Sequence, residues 1–347
     1  MRPCSLLSLA TAVPPHPIEQ DAAREIGRRA FRRKSLFDKL APVFDNADIA
    51  KRHLVAPPEW YATPHGWAER NALYLAAAEQ LFEDAATAAI EQAGLSPSDI
   101  DGVVTVSTTG IATPSVEARV GPRLGLRPDI RRVPVFGLGC AGGVSGLALA
   151  GRLATSDAGT NWLFVTVETC SISIRLDSDD PAAIVATALF GDGAAAAVVS
   201  CADRGLARFA GSAEKLWPDT LGIMGWRVED PGLGVVFDRA IPPFIEANLA
   251  ETVADMCAQL KIAREDIGRF CCHPGGVKVI DAIEAALDLS QGELNLEREV
   301  LRDFGNMSAP TVLFVLERLL RQGLPDKSLM TAFGPGFTCS ALLLEAA

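Results

Sequence analysis

The sequence predicts an α/β protein built from two similar halves. Short apolar runs with the composition of buried strands alternate with Ala- and Leu-rich helical segments, which is the rhythm of a layered α/β fold. After residue 205 the same alternation starts again, although no residue-level repeat accompanies it. The pattern loosens at Cys201–Gly205, so we place the domain boundary there and expect halves spanning residues 1–203 and 204–347.

The individual elements follow from hydrophobic periodicity and from Gly and Pro breakers. In the first half, strands are expected at Ser5–Val13, Val103–Ser107, Val133–Phe136, Trp162–Val167 and Ala194–Ser200, and helices at 19–40, Ala68–Ala93, 141–150 and Pro181–Phe190. In the second half, strands are expected within Leu206–Gly211, Ile223–Val228, Gly234–Phe237, Arg269–Cys272, Ser328–Ala332 and Thr338–Leu344, and helices at Pro243–Leu260, Val277–Leu287 and Thr311–Arg321.

Composition excludes several classes of function. The chain has 347 residues, of which 49% are hydrophobic and 22% charged, as in folded globular proteins. A formal net charge of −11 argues against nucleic acid as a general partner. No apolar run reaches the roughly 20 residues that span a bilayer. The eight cysteines include no C-x-x-C pair, which argues against a zinc site, and without an export signal we expect reduced thiols in the cytoplasm.

The stretch from Arg131 to Gly151 holds the first candidate for chemistry. An apolar run, Val133–Phe136, predicts a short buried strand, and the small-residue run after it predicts a buried helix, with Cys140 at the junction. Unpaired N–H groups and the macrodipole at a helix start favour thiolate over thiol, and the thiolate is the nucleophile. Taken alone, a small cysteine in such a stretch is more often a core residue.

Two further residues share this placement. Among the four histidines, His273 is the one that an apolar strand delivers to a turn, Pro274-Gly275-Gly276, at a helix start. Asn306 follows a glycine just before another helix. A backbone-bonded turn histidine and a helix-capping asparagine are the structural alternatives. Three such junctions instead predict a shared cleft, in which His273 and Asn306 stabilise a thiolate or a developing oxyanion.

Five short motifs stand in a fixed order along the chain. They are GCAGG around Cys140, ALFGDGAAA at Ala188–Ala196, CHPGG at Cys272–Gly276, GNMSAP at Gly305–Pro310 and FGPGF at Phe333–Phe337. Each motif is weak alone. In this order and spacing, from the STTGIATPS segment (Ser107–Ser115) to the C-terminus, the sequence resembles the type III polyketide synthases, the chalcone synthase-like branch of the thiolase superfamily. The start, SLATAVPPH, is typical of bacterial members.

The resemblance implies a thiolase-like five-layer αβαβα fold with two pseudo-symmetric halves, in an intimate homodimer. Cys140 would take an acyl starter from coenzyme A (CoA) and carry the growing chain. His273 and Asn306 would stabilise the enolate formed when malonyl-CoA loses CO₂ and the oxyanion of the thioester under attack. One such donor is worth about 3 kcal/mol in other enzymes. The substrates would be acyl-CoA and malonyl-CoA, and no cofactor or metal is called for.

The same resemblance assigns a set of substrate-binding positions around the CoA tunnel and the cavity. These positions are Phe190, Thr108, Cys170, Ser173, Val235, Ser308, Gly334, Pro335 and Gly336. For Phe190, which matches a phenylalanine at the junction of tunnel and cavity, plain core packing is the alternative. Val235 stands where plant members carry a second gating phenylalanine.

Other departures concern the CoA phosphates. The basic set of the plant enzymes falls near Pro42–Asn46, which is not basic here. Lys51, Arg52 and the basic cluster Arg28, Arg29, Arg32, Arg33 and Lys34 are the candidates to replace it. A solvated helix face is the usual explanation of such a charge run.

The starter is inferred from side-chain size. Cys170, Ser171 and Ser173 replace threonine-type cavity residues, and smaller side chains leave room for a longer or bulkier intermediate. By analogy with bacterial relatives, a fatty acyl-CoA starter and an alkylpyrone or alkylresorcinol product are expected.

Three alternatives stay open at this point. One is a synthase with an aromatic starter, chalcone- or stilbene-like, or a phloroglucinol-type synthase. A second is the ketoacyl synthase that initiates fatty acid synthesis with acyl carrier protein, against which the HPGG and FGPG motifs argue. The third is an inactive thiolase-like scaffold, against which the intact Cys-His-Asn set argues.

Overall fold

The computed structural model describes residues 4–31, 33–157, 159–175 and 180–347. Its strands are β1 (Cys4–Ala12), β2 (His16–Glu19), β3 (Lys51–Leu54), β4 (Gly102–Val106), β5 (Arg131–Val135), β6 (Asn161–Thr169), β7 (Asp192–Ser200), β8 (Ala207–Leu216), β9 (Met224–Glu229), β10 (Gly232–Phe237), β11 (Arg269–Cys272), β12 (Lys327–Gly334) and β13 (Thr338–Ala346). Its helices are α1 (Gln20–Ala30), α2 (Lys34–Leu40), α3 (Pro42–Asp45), α4 (Pro58–Tyr61), α5 (Trp67–Gln92), α6 (Val116–Leu124), α7 (Gly142–Ser156), α8 (Pro181–Leu189), α9 (Ile241–Leu260), α10 (Val277–Ala286), α11 (Asn295–Phe304) and α12 (Thr311–Gln322).

The main sheet shows the same pairing pattern twice. Its nine strands run in the order β11-β12-β13-β8-β1-β7-β6-β4-β5. In the first half, β1, β7 and β6 pair antiparallel, and β6, β4 and β5 pair parallel. In the second half, β8, β13 and β12 pair antiparallel, and β12 and β11 pair parallel. The two halves therefore repeat one unit, except that the described residues of the second half hold no counterpart of β5.

We call the strands of each half a half-sheet. The two half-sheets meet where β1 pairs with β8, and helices lie both between them and on their outer faces. The core between the half-sheets contains α7 and α12, represented by Leu147 and Leu316. Helix α5 packs through Phe82 on the outer face of the first half-sheet, and α9 and α10 pack through Met256 and Ile280 on the outer face of the second. The order helix, sheet, helices, sheet, helices is the five-layer αβαβα fold, so the expected fold class is confirmed.

Strand β6 illustrates why the sequence adopts this arrangement. Trp162 and Phe164 belong to the central core, whereas Leu163, Val165 and Val167 belong to the outer core. Successive side chains of a strand point to opposite faces, and both faces are covered by helices. The continuous apolar run in the sequence is the result.

The small residues after Cys140 allow the two central helices to touch. A Cβ atom added to Gly143 would lie 2.2 Å from the carbonyl oxygen of Ala309, next to α12. A larger residue at this position would therefore force the helices apart.

Two expectations from the sequence need correction, and several elements were not predicted. The single helix expected over 19–40 is two helices, α1 and α2, because the chain leaves helical geometry at Phe31 (φ −61°, ψ 130°). Strands β2 and β3 and helices α6 and α11 lacked a recognisable pattern. The predicted buried strand Val133–Phe136 is the edge strand β5, and Phe136 is 62% exposed. Pro134 explains this placement, since proline cannot donate to a neighbouring strand.

Most other predicted elements agree closely with the observed ones at their ends. The helix after Cys140 is longer than expected, because α7 continues through polar residues to Ser156. Among the described residues, none of the helices has the combination of length and apolar composition needed to span a bilayer.

Candidate active site

The duplicated fold brings two of the three candidate residues to equivalent junctions. Cys140 lies in a 3₁₀ turn, Gly139–Ala141, that leads into α7. Asn306 lies between α11 and α12, just before the other central helix. His273 directly follows β11 at the start of the turn into α10. The nucleophile candidate and the amide candidate thus precede the two helices that pack together at the centre of the molecule.

The turn that carries Cys140 is held from one side by the FGPGF segment. Gly139 has a positive φ of 50°, and a Cβ there would lie 2.6 Å from Pro335. A Cβ at Gly334 would lie 2.5 Å from the carbonyl oxygen of Leu138. Two glycines are therefore required for this contact. On the other side, the Cys140 thiol donates to Oγ of Ser308 at 3.4 Å.

Asn306 is fixed by both its backbone and its side chain. Its backbone N–H donates to the carbonyl of Leu189 at 2.8 Å, and its carbonyl accepts from Gly191 at 3.0 Å. Its Nδ2 donates to the carbonyl of Gly275 at 3.0 Å, and its Oδ1 accepts from the N–H of Ser308 at 2.8 Å. An amide group has two N–H bonds, so one donor of Nδ2 remains for a ligand.

The ring of His273 is buried without a protein partner. The residue is 3% exposed, and its backbone N–H donates to Thr331 at 2.8 Å. Neither ring nitrogen has a hydrogen-bond partner among the described residues. Burial lowers the pKa of the imidazole to about 3, so the ring is neutral at physiological pH. A neutral imidazole has one donor and one acceptor nitrogen.

Burial also acts on Cys140. Desolvation raises the pKa of its thiol to about 11, the hydrogen bond to Ser308 lowers it, and the nearby Glu168 raises it further. The thiolate-stabilising effect expected of a helix start is therefore opposed by a larger effect. In the unliganded protein the thiol is the favoured form at neutral pH.

A small cavity adjoins Cys140 and Asn306, whereas His273 is not among the residues that line it. Five of the predicted positions line it together with Cys140 and Asn306, namely Phe190, Cys170, Val235, Ser308 and Pro335. Its volume is about 40 Å³, and its walls are mainly apolar. The predicted nucleophile, the amide and part of the predicted cavity set are thus brought together.

The remaining predicted positions lie away from the cavity wall. Ser173 donates to the carbonyl of Cys170 at 2.7 Å. The N–H of Thr108 donates to the Glu168 carboxyl group at 2.9 Å. Gly334 packs on the Cys140 turn, and the carbonyl of Gly336 accepts from Thr220 at 2.7 Å.

Sequence reasoning missed a hairpin and a carboxyl group. Strands β9 and β10 form a separate two-stranded sheet, which contributes Met224, Trp226, Val236 and Phe237 to the cavity wall. The strands were predicted, but strand patterns do not show what a hairpin packs against. Glu168 is fully buried at the end of β6, and desolvation raises its pKa to about 7. The sequence feature that could have identified Glu168 is an acidic residue at the end of an apolar strand.

The candidates for CoA phosphates have different environments. Arg52 is 1% exposed and bonds to backbone carbonyls, which corrects the expectation that it contacts a ligand. Arg28 and Arg29 both pair with Glu25 on the exposed side of α1, as in a solvated helix face. Arg32 lies outside the described residues, and Lys51 is exposed. In the described ranges, no three His, Cys, Asp or Glu side chains are grouped as metal ligands would be.

Comparisons with known proteins agree along the whole chain. The family model for the N-terminal domain of chalcone and stilbene synthases matches residues 2–203, and the model for the C-terminal domain matches residues 208–347. The 1,3,6,8-tetrahydroxynaphthalene synthase of Streptomyces peucetius subsp. caesius is 36% identical over an alignment of 353 positions, which covers 99% of this chain and 93% of that protein. A putative chalcone synthase of Bacillus subtilis (strain 168) is 34% identical over 363 residues, 98% of each chain.

A solved structure shows the same similarity in three dimensions. The 1,3,6,8-tetrahydroxynaphthalene synthase of Streptomyces coelicolor A3(2), a bacterial type III polyketide synthase, superimposes with a TM-score of 0.93 at 27% identity over 99% of both chains. Sequence and structure agree over both halves. The chain therefore belongs to the chalcone and stilbene synthase family, the type III polyketide synthases, which are condensing acyltransferases that use CoA thioesters.

Proposed function

We propose that this chain loads an acyl group from CoA onto Cys140 and extends it with malonyl-CoA through His273 and Asn306. The proposal is carried by two polar groups. The His273 ring is buried without a partner among the described residues. Asn306 keeps one N–H free and lines the cavity that Cys140 also lines. Buried polar groups normally have partners, so unpaired ring nitrogens point to a ligand. The proposed steps use side chains and CoA thioesters and need no cofactor.

Loading requires removal of the thiol proton. The neutral His273 ring accepts this proton as Cys140 Sγ attacks the carbonyl carbon of the acyl-CoA, and it returns the proton to the departing CoA thiolate. The neutral ring offers one acceptor nitrogen, and the proton transfer must accompany the attack of sulfur on the acyl carbon because the thiol is a much weaker acid than the imidazolium. The high pKa of Cys140 makes a base necessary.

Extension begins with decarboxylation. The bond between the carboxylate and the α-carbon of malonyl-CoA breaks, CO₂ leaves, and the electron pair forms an enolate. His273 and Asn306 donate hydrogen bonds to the enolate oxygen. The enolate carbon then attacks the thioester on Cys140, which releases the Cys140 thiolate and gives a β-ketoacyl-CoA that is two carbons longer.

The cavity supports a short starter. Its volume of about 40 Å³ compares with the roughly 10–15 Å³ that a cavity needs on the same measure to hold one water molecule. Trp226 and Phe237 line this cavity together with Cys170, whereas Ser173 does not line it. We therefore favour an acetyl- or malonyl-sized starter and a compact hydroxylated product, in keeping with the name of the Streptomyces relatives. The apolar wall supports a second candidate, the fatty acyl starter with an alkylpyrone or alkylresorcinol product.

Product analysis tests both the proposed reaction and the size of the starter. Purified protein is incubated with malonyl-CoA alone and with acetyl-, long-chain and aromatic acyl-CoA starters, and products are identified by mass spectrometry, with Cys140→Ala as the control. We expect polyketides from malonyl-CoA with or without acetyl-CoA, and none from the variant. Products that form with long-chain starters alone would select the second candidate. Absence of product with every starter would overturn the proposed function.

The edge of the main sheet supports a homodimer. Among the described residues no strand pairs with the outer edge of β5, and Phe136 and Ile111, which are 62% and 55% exposed, flank an apolar cleft of about 310 Å³ beside it. Unpaired edges and exposed apolar groups at one place are typical of an interface between subunits. We expect Phe136→Asp to convert a dimer to a monomer in light scattering. A wild-type monomer would contradict the proposal.

The cysteines support a reducing compartment. All eight lie in the described residues and none forms a disulfide, and seven are buried. Proteins of oxidising compartments often use such residues as cross-links. We therefore propose a cytoplasmic location, which fractionation of the native host would test.

A further inference from the structure

Arg52 is a buried cation behind the active-site wall. It lies on β3, is 1% exposed, and is the largest of the fully buried side chains among the described residues. An arginine is almost never buried to this extent unless it is paired. Its partners therefore indicate what it does.

These partners are the last carbonyl groups of one helix. Nη1 of Arg52 donates to the carbonyl of Thr187 at 2.6 Å and to that of Phe190 at 3.3 Å. Nη2 donates to Oε1 of Gln20, whose own Nε2 donates to the carbonyl of Ala188 at 3.2 Å. A helix leaves its final carbonyls unsatisfied and carries partial negative charge there, so a cation is well placed at the end of α8.

Asn306 belongs to the same set of bonds. The one remaining carbonyl in this run, that of Leu189, accepts the backbone N–H of Asn306 at 2.8 Å. The N–H of Gly191 donates back to the carbonyl of Asn306 at 3.0 Å. The end of α8 is thus bonded on one side to Arg52 and on the other side to Asn306, with Phe190 between them.

Close packing reinforces the connection. A Cβ added to Gly191 would lie 3.3 Å from Cβ of Arg52, and one added to Gly305 would lie 3.5 Å from it. These glycines directly follow Phe190 and precede Asn306. The stem of Arg52 therefore touches the backbone on both sides of the Phe190–Asn306 pairing. Burial lowers the pKa of Arg52 to about 9, so the guanidinium keeps its charge at neutral pH.

We propose that Arg52 is a positioning residue, which holds Asn306 and Phe190 in place relative to Cys140 so that enolate formation depends on it although it touches no substrate. The inference rests on the proposed role of Asn306. A displacement of about 1 Å at a reacting group can cost about 100-fold in rate. Loss of the carbonyl bonds would let the end of α8 move, and the Leu189–Asn306 bond would transmit that movement.

The test compares two activities of the site. Decarboxylation of malonyl-CoA depends on Asn306, whereas alkylation of Cys140 by iodoacetamide depends on the sulfur and on the turn that carries it, which packs against Pro335. We expect Arg52→Met to lower kcat for decarboxylation about 10- to 100-fold per folded molecule, with little change in KM or in the alkylation rate. Arg52→Lys keeps the charge and should restore part of the loss.

Arg70 provides the matched control. It is also buried, at 7% exposure, and also donates to backbone carbonyls, those of Ile174 at 3.2 Å and of His65 at 3.0 Å. Arg70→Met should cost comparable stability without lowering decarboxylation per folded molecule. If both variants lower decarboxylation equally, or if alkylation falls in parallel with decarboxylation in Arg52→Met, Arg52 is structural only and the proposal is overturned.

Asn306→Ala separates this proposal from the one on which it rests. If Asn306→Ala retains decarboxylation, the proposed function fails. If Asn306→Ala loses decarboxylation while Arg52→Met retains it, the positioning role alone fails. Should Arg52→Met not fold, the kcat and KM of Arg52→Lys decide, because unchanged values in that variant together with wild-type stability would also exclude the role.

Discussion

The two halves of the molecule place different residues at the same position of a repeated unit. Ahead of α7 the first half presents Cys140 on a short turn, partly exposed to the cavity. Ahead of α12 the second half presents Asn306, which is 1% exposed and bonded through four of its groups. A nucleophile must reach a substrate carbon, whereas an oxyanion donor works only from a fixed position. Under the proposed function, the duplication divides the chemistry between the two halves.

The largest effects are expected from substitutions that separate the proposed roles of Cys140 and His273. Cys140→Ala should abolish polyketide formation but keep decarboxylation of malonyl-CoA. His273→Ala should lower decarboxylation by about 10²- to 10³-fold, since it removes a donor to the enolate. Acetyl-CoA release from malonyl-CoA measures the reaction. Equal loss in both variants would show that the halves do not divide the work.

A substitution at Gly143 tests the contact between the two halves. In Gly143→Ala, the added Cβ would lie 2.2 Å from the carbonyl oxygen of Ala309, a backbone atom that cannot move alone. We expect a loss of about 3 kcal/mol in the free energy of unfolding, measured with urea. Gly222→Ala is the control, because nothing lies within 4 Å of its added Cβ. Similar stability of the two variants would contradict close packing of α7 on α12.

The half-sheets also differ at the ends of equivalent strands. The penultimate residue of β6 is the buried Glu168, whereas that of β12 is Phe333. Burial raises the pKa of Glu168 from 4.5 to about 7, so its contribution to stability is complete below about pH 4.5 and is lost as the pH rises through 7. Glu168→Gln cannot titrate. We expect its free energy of unfolding, relative to wild type, to increase by about 2–3 kcal/mol between pH 5 and pH 8.

One result would contradict the pH dependence expected of Glu168→Gln. A relative stability of Glu168→Gln that is the same at both pH values would place the pKa of Glu168 outside this range.

The smallest effect on rate is expected in the cavity wall that the second half contributes. The Trp226 ring lies 6.3 Å from that of Phe190, in an edge-to-face arrangement. Trp226→Ala should enlarge the cavity and shift the products towards longer chains or larger starters, with turnover little changed. Mass spectrometry of products measures the shift. Val228→Ala, on the same strand but 81% exposed, should leave the products unchanged. Identical products from both variants would remove Trp226 from the wall.

Some features could be predicted because they are encoded locally. Strand β6 and helix α5 follow from residue type and periodicity, and the glycines beside Cys140 and Asn306 indicate turns at helix starts. The edge position of β5 was missed, because burial depends on which strands lie beside it. Arg52 was misjudged for the same reason, since an arginine on a short polar strand has no sequence pattern that distinguishes a buried position from an exposed one.

By itself the sequence determined the α/β class, the repeat of the unit and the identities of the three candidate catalytic residues, together with the family that their motifs resemble. These depend on local composition and on residue type at turns. The tertiary structure decided that α7 and α12 share one core, that the β9–β10 hairpin lines the cavity, and that Arg52 and Asn306 both bond to the end of α8. Each of these is a contact between segments far apart in the chain, and burial then set the protonation of Cys140 and His273. Desolvation depends on all surrounding atoms, which is why no single stretch of sequence could reveal it.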